Sequence, residues 1–110
     1  MEFRGVVSRV IDGDTVDCLV DLGFNAYQYV TVRLRGVDTP ELRDRDPKLR
    51  EAAQAAKQFT LSTLLNRPVI VTTYKDTTTF GRYVADIEYQ TDDGHLLCIN
   101  EQLKLAGHSQ

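Results

Sequence analysis

The chain has 110 residues, of which 42% are hydrophobic and 26% charged, enough for a single domain over residues 1–110 with a modest core and too few for two. No apolar run approaches a membrane span, and Met1-Glu2-Phe3-Arg4 lacks the apolar stretch of a secretory signal, so the expectation is a cytoplasmic protein with no membrane partner unless a leader has been removed. A net charge of −3 and a pI near 5.3 argue against a broad nucleic-acid-binding surface, but nine of the thirteen basic residues are arginine, which leaves room for a local phosphate site.

The first third reads as strands. Phe3 to Ile11 is rich in valine. Thr15 to Leu22 alternates Val16, Cys18 and Val20 against Asp17, Leu19 and Asp21, and Gly23-Phe24-Asn25 is a hairpin turn. Tyr27 to Gly36 places Val30, Val32 and Leu34 on one face and Tyr27, Tyr29, Thr31, Arg33 and Arg35 on the other. After a charged loop, Asp46-Pro47 has the composition of an N-cap and first helical residue. Leu49, Ala52, Ala53, Ala56, Phe59, Thr60, Thr63 and Leu64 then recur at helical spacing, with the end near Asn66 and Pro68. Val69 to Tyr74 and Tyr83 to Tyr89 are a fourth and a fifth strand, Asp93-Gly94 turns the chain, and Ile99 to Ala106 predicts a short helix ending at Gly107.

These elements make an α+β domain. Five strands with the main helix between the third and fourth fit the partly open five-stranded barrel of the OB-fold, with a short C-terminal helix. That fold often binds oligonucleotides, but fold alone does not fix function. Cys18 and Cys98 read as buried, reduced thiols, with a disulfide between them as the alternative, and neither they nor the isolated His95 and His108 have the spacing of a zinc site.

Two acidic clusters stand out, Asp12-Gly13-Asp14-Thr15 and Asp38-Thr39-Pro40-Glu41. Gathered carboxylates repel, so a chain that collects them beside arginines has reason to hold a divalent cation and a phosphate. Hard oxygen donors suit calcium or magnesium. Gly13 lets the backbone turn between Asp12 and Asp14, and Pro40 holds Asp38 and Glu41 in a defined relation. Arg33, assisted by Arg35 on the same strand face, could offset charge on a phosphoryl transition state, and Arg82 follows Gly81 at the start of a strand. Each short segment alone has an ordinary turn composition. Their combination and order carry the weight.

That combination resembles the staphylococcal nuclease family over nearly the whole chain. The resemblance rests on Val10-Ile11-Asp12-Gly13-Asp14-Thr15-Val16, Val32-Arg33-Leu34, Val37-Asp38-Thr39-Pro40-Glu41 and Phe80-Gly81-Arg82-Tyr83, with Ile99-Asn100-Glu101 in support. It implies an OB-like barrel that hydrolyses DNA and RNA with Ca2+, leaving 3′-phosphate ends. It implies Asp14 and Asp38 as metal ligands, Thr39 as a ligand through its carbonyl, and Asp12 in the outer shell. It further implies Glu41 as general base on a water near the metal, and Arg33 and Arg82 as the catalytic arginines on the scissile phosphate. Arg35 has no role in the family pattern and is expected as an accessory substrate contact or a structural residue, and Phe80 is expected to contact substrate.

The chain departs from the family pattern in three places. Phe80 stands where tyrosine is common, keeping a stacking face without a hydroxyl. Thr79 replaces a basic residue, and the sequence stops at Gln110 before the tyrosine-bearing segment of many members. With the acidic pI, these features predict a reduced grip on nucleic acid around a complete catalytic set. The alternative function is a nuclease-like module that binds nucleic acid or a protein without cleaving it. The oligomeric state stays open, a monomer included.

Overall fold

The computed structural model describes residues 1–74 and 82–110. Its elements run β1 (Glu2–Asp12), β2 (Thr15–Gly23), β3 (Ala26–Leu34), α1 (Pro47–Leu64), β4 (Pro68–Tyr74), β5 (Arg82–Gln90), β6 (Leu96–Cys98) and α2 (Ile99–Leu105). Pairing follows the order β3-β2-β1-β4-β5-β6, antiparallel throughout. A parallel contact between β3 and β5, from Thr31 opposite Arg82 to Leu34 opposite Ala85, closes five strands into the expected OB-like barrel.

The alternation in the sequence decides what enters the barrel. Val16, Cys18 and Val20 of β2 and Val32 and Leu34 of β3 are buried, as period-two patterning requires. Val7 and Val10 of β1, Val69 and Val71 of β4, and Ala85 and Ile87 of β5 complete the wall of the core. The predicted hairpin is present. Phe24 and Asn25, at φ 52° and 60°, occupy the left-handed region that a two-residue turn needs to match the strand twist. Both cysteines are free thiols, Cys18 buried and Cys98 half-buried.

Helix α1 begins as its sequence specifies. The Asp46 carboxylate accepts a 2.9 Å hydrogen bond from the Lys48 N–H, and Pro47 takes the first turn, where its missing N–H costs nothing. Its buried stripe is Ala53, Ala56, Thr60 and Leu64. Three of these four are small or hydroxylated, so the helix axis can lie close to β1. The chain then leaves the helix through Asn66, at φ 60°, whose N–H donates to the Val7 carbonyl at 2.8 Å.

Strand β6 was not anticipated. Three residues between a turn and a helix carry no legible alternation, yet they pair with β5 beyond the stretch that β3 covers. Among the described residues, no helix is long and apolar enough to cross a membrane.

Candidate functional site

The two acidic clusters meet at the end of the barrel where β1 turns into β2. An open cleft of about 600 Å³ there is lined by Asp12, Asp14, Arg33, Asp38, Thr39 and Glu41, among others. Nineteen residues of sequence separate Arg33 from Asp14, but the β2–β3 register sets Thr15 opposite Arg33 and so brings the arginine beside the turn.

Asp14 is the anchored member. It is 5% exposed, and its Oδ1 accepts from the Thr15 hydroxyl at 3.0 Å while its Oδ2 accepts from the Thr39 N–H at 3.3 Å. The second bond ties the two clusters together. Its turn is held by α1. The Thr60 hydroxyl donates to the Gly13 carbonyl at 2.8 Å. A Cβ at Gly13 would fall 2.8 Å from Ala56 Cβ and 2.9 Å from Thr39 Cγ2, so only glycine lets the turn seat against helix and loop.

Arg33 lies between the carboxylates. Its Nη2 is 3.6 Å from Asp14 Oδ2 and 3.7 Å from Asp38 Oδ1, and it donates to the Val37 carbonyl at 3.3 Å. One positive group therefore faces two negative ones from opposite loops. The Asp38 side chain is 68% exposed, so its carboxylate opens to the cleft.

The titration of the acidic pair divides between its members. Burial pushes the Asp12 carboxyl up to about 6, and the neighbouring Asp14 adds to the rise. Burial works the same way on Asp14 but is outweighed there by the Asp12 carboxyl, the Thr39 N–H, the Thr15 hydroxyl and the Arg33 charge, leaving it below the ordinary carboxylate range. Asp14 thus keeps the negative charge, and Asp12 takes up a proton first.

The other expected residues do not all gather at the cleft. Glu41 lines the cleft as an exposed side chain. Arg82 opens β5 with its backbone opposite Thr31, two residues along β3 from Arg33. Phe80 lies outside the described residues, as do Thr79 and Gly81. Arg35 is not brought to the cleft. Strand β3 ends at Leu34, which voids the parity argument, and Arg35 instead pairs with Asp86 at 3.1 Å and stacks 4.0 Å over the Tyr74 ring.

Among the described residues, no three His, Cys, Asp or Glu side chains are gathered as a metal cluster. The donor chemistry nonetheless fits a hard cation. Two carboxylates from separate loops line the same cleft, and carboxylate oxygens are the hard donors that calcium takes.

The roles of two residues escaped the sequence reading, which used Asn100 only as part of the Ile99-Asn100-Glu101 segment and did not single out Ser109. Asn100, 1% exposed, donates to the carbonyls of Arg35 and Ala85 at 2.9 and 3.1 Å and accepts from the Ile87 N–H at 3.2 Å, tying the start of α2 to the chain just past β3 and to the middle of β5. Ser109 accepts from the Asp38 N–H at 3.0 Å. An asparagine after an isoleucine hints at the first, while nothing in the sequence signals a pair 71 residues apart.

Residues 31–108 match the family described as staphylococcal nuclease homologues. Protein ParB of Escherichia coli is 38% identical across 78% of this chain and 42% of its own length. Micrococcal nuclease of Shigella flexneri is 31% identical across 90% of this chain and 52% of its own. An uncharacterized protein of Methanocaldococcus jannaschii is 31% identical across 98% of this chain and 58% of its own. The chain thus spans about half the length of the curated relatives it matches.

Proposed function

Because the chain belongs to the staphylococcal nuclease family, we propose that it is a calcium-dependent endonuclease that hydrolyses phosphodiester bonds of DNA or RNA and leaves 3′-phosphate ends. The observation that carries the reading is Arg33 placed between Asp14 and Asp38 in one cleft. A phosphate drawn to Arg33 lies beside both carboxylates, and that contact is electrostatically tolerable only with a cation present.

In this reading Asp14 and Asp38 hold calcium with the Thr39 carbonyl, and Asp12 acts from the outer shell. When bound, calcium offsets the carboxylate repulsion and polarises a phosphoryl oxygen. Glu41 removes a proton from the attacking water in the cleft. Arg33 and Arg82 favour the more negative transition state over the ground state, because a guanidinium meets two phosphate oxygens at once. Phe80 extends the contact with substrate, while Arg35, held by Asp86 away from the cleft, has no part in it.

The test is digestion of single- and double-stranded DNA and of RNA with calcium, then with chelator, for wild type, Glu41→Gln and Arg82→Ala. Cleavage that needs calcium and falls in both variants is expected. A second reading, binding of nucleic acid or a protein partner without cleavage, is favoured by Arg33 already standing within 3.7 Å of both carboxylates. Binding of DNA or RNA with no hydrolysis under any metal condition would select it.

A further inference from the structure

Asp38 is held on three sides, and two of its restraints come from the far end of the chain. Its N–H donates to Ser109 Oγ at 3.0 Å, and its carbonyl accepts from the Gln110 N–H at 2.6 Å. Its carboxylate faces Arg33. The segment that supplies Ser109 and Gln110 is itself fixed. The His108 N–H donates to the Leu103 carbonyl at 2.9 Å, and the His108 ring lies 5.1 Å from the Phe59 ring at a tilt of 51°.

Phe59 and Thr60 are adjacent on α1. Thr60 holds the turn that carries Asp14, and Phe59 supports the segment that holds Asp38. One helix therefore sets the position of both carboxylates, the first directly and the second through residues 108–110. A cation with short bonds to oxygen is sensitive to such spacing, and residues that orient the ligands of a metal typically alter its affinity by about 10- to 100-fold.

We propose that Ser109 is a positioning residue for the metal site, its hydroxyl oxygen fixing the backbone of Asp38 so that the Asp38 carboxylate stands at ligand distance from that of Asp14. The inference rests on the reading of Asp14 and Asp38 as calcium ligands. Asp38 N–H is near the surface and can turn to water when the hydroxyl is lost, so the effect is smaller than loss of the ligand itself.

Calcium titration calorimetry on the full chain tests this, with metal-free thermal melting beside it. Ser109→Ala is expected to weaken calcium about 5-fold with the melting temperature unchanged, in line with the loss of one hydrogen bond. Ser109→Thr, which keeps the hydroxyl, is expected to bind as wild type, and His108→Ala to weaken calcium in the same direction as Ser109→Ala. Calcium binding by Ser109→Ala equal to wild type overturns the proposal, as does equal weakening in Ser109→Ala and Ser109→Thr. Wild-type protein that binds no calcium, or Asp38→Asn that binds it undiminished, overturns the ligand reading and this proposal with it.

Discussion

The hydroxyl of Thr60 donates a 2.8 Å hydrogen bond to the carbonyl of Gly13, joining α1 to the acidic turn across 47 residues of sequence. Thr60 is fully buried, so the carbonyl has no water to turn to if the hydroxyl is removed. Thr60→Val keeps the shape and leaves a buried acceptor unsatisfied, which costs about 1–3 kcal/mol. Denaturant unfolding is expected to show that loss. Calcium titration of the same variant is expected to show weaker binding, because the turn that carries Asp14 is no longer fixed.

Arg33 has two opposed effects on the site. It offsets the charges of Asp14 and Asp38, and it occupies the region to which a cation is drawn. Arg33→Ala is therefore expected to bind calcium at least as tightly as wild type while losing about 100-fold or more in kcat, the scale of removing one donor from a transition-state oxygen. Calorimetry and single-turnover cleavage on the same preparation separate the two. Arg33→Lys keeps the charge without the fork and is expected to recover only part of the rate.

Burial pushes the Cys18 thiol up to about 12, with Asp17 adding to the rise. At pH 9 an ordinary cysteine is about half ionised and reacts with iodoacetamide, since the thiolate is the nucleophile. Cys18 is expected to stay unreactive in the native protein and to react on unfolding, while half-buried Cys98 labels first. Peptide mapping after brief labelling reads this directly. The sign for stability follows from the raised value. Keeping Cys18 neutral stabilises the fold below the unfolded value near 9, and that contribution is lost as pH rises from there to about 12.

Phe24 is fully exposed and sits at φ 52°, in a region that disfavours L-residues with a Cβ. Asparagine tolerates that conformation better. Phe24→Asn is expected to raise unfolding stability by about 0.5–1 kcal/mol, seen as a higher urea midpoint at unchanged slope.

Much of this architecture is written in local pattern. The alternation of Val16, Cys18 and Val20, the Asp46-Pro47 start of α1 and the Ala53, Ala56, Thr60 and Leu64 stripe each encode their element through nearby residues. The carboxylates and Arg33 were legible because the chemistry of a cation and a phosphate restricts residue types and order. Contacts set by folding were not. Arg35 left its expected face because β3 ends at Leu34, two residues before the expected end at Gly36. Strand β6 was too short to show alternation, and the Ser109–Asp38 bond joins residues that only the closed barrel brings together.

On the proposed mechanism, Asp14 and Asp38 hold a calcium ion on which phosphodiester cleavage depends. The most direct measurement is cleavage of single-stranded DNA by wild type, Asp14→Asn and Asp38→Asn across a calcium titration, with binding followed in parallel by calorimetry. Wild-type cleavage is expected to rise with calcium occupancy and stop with chelator, and each variant to lose calcium affinity and rate together. Wild-type cleavage indifferent to chelator, or variants that bind calcium and cleave as wild type does, would contradict it.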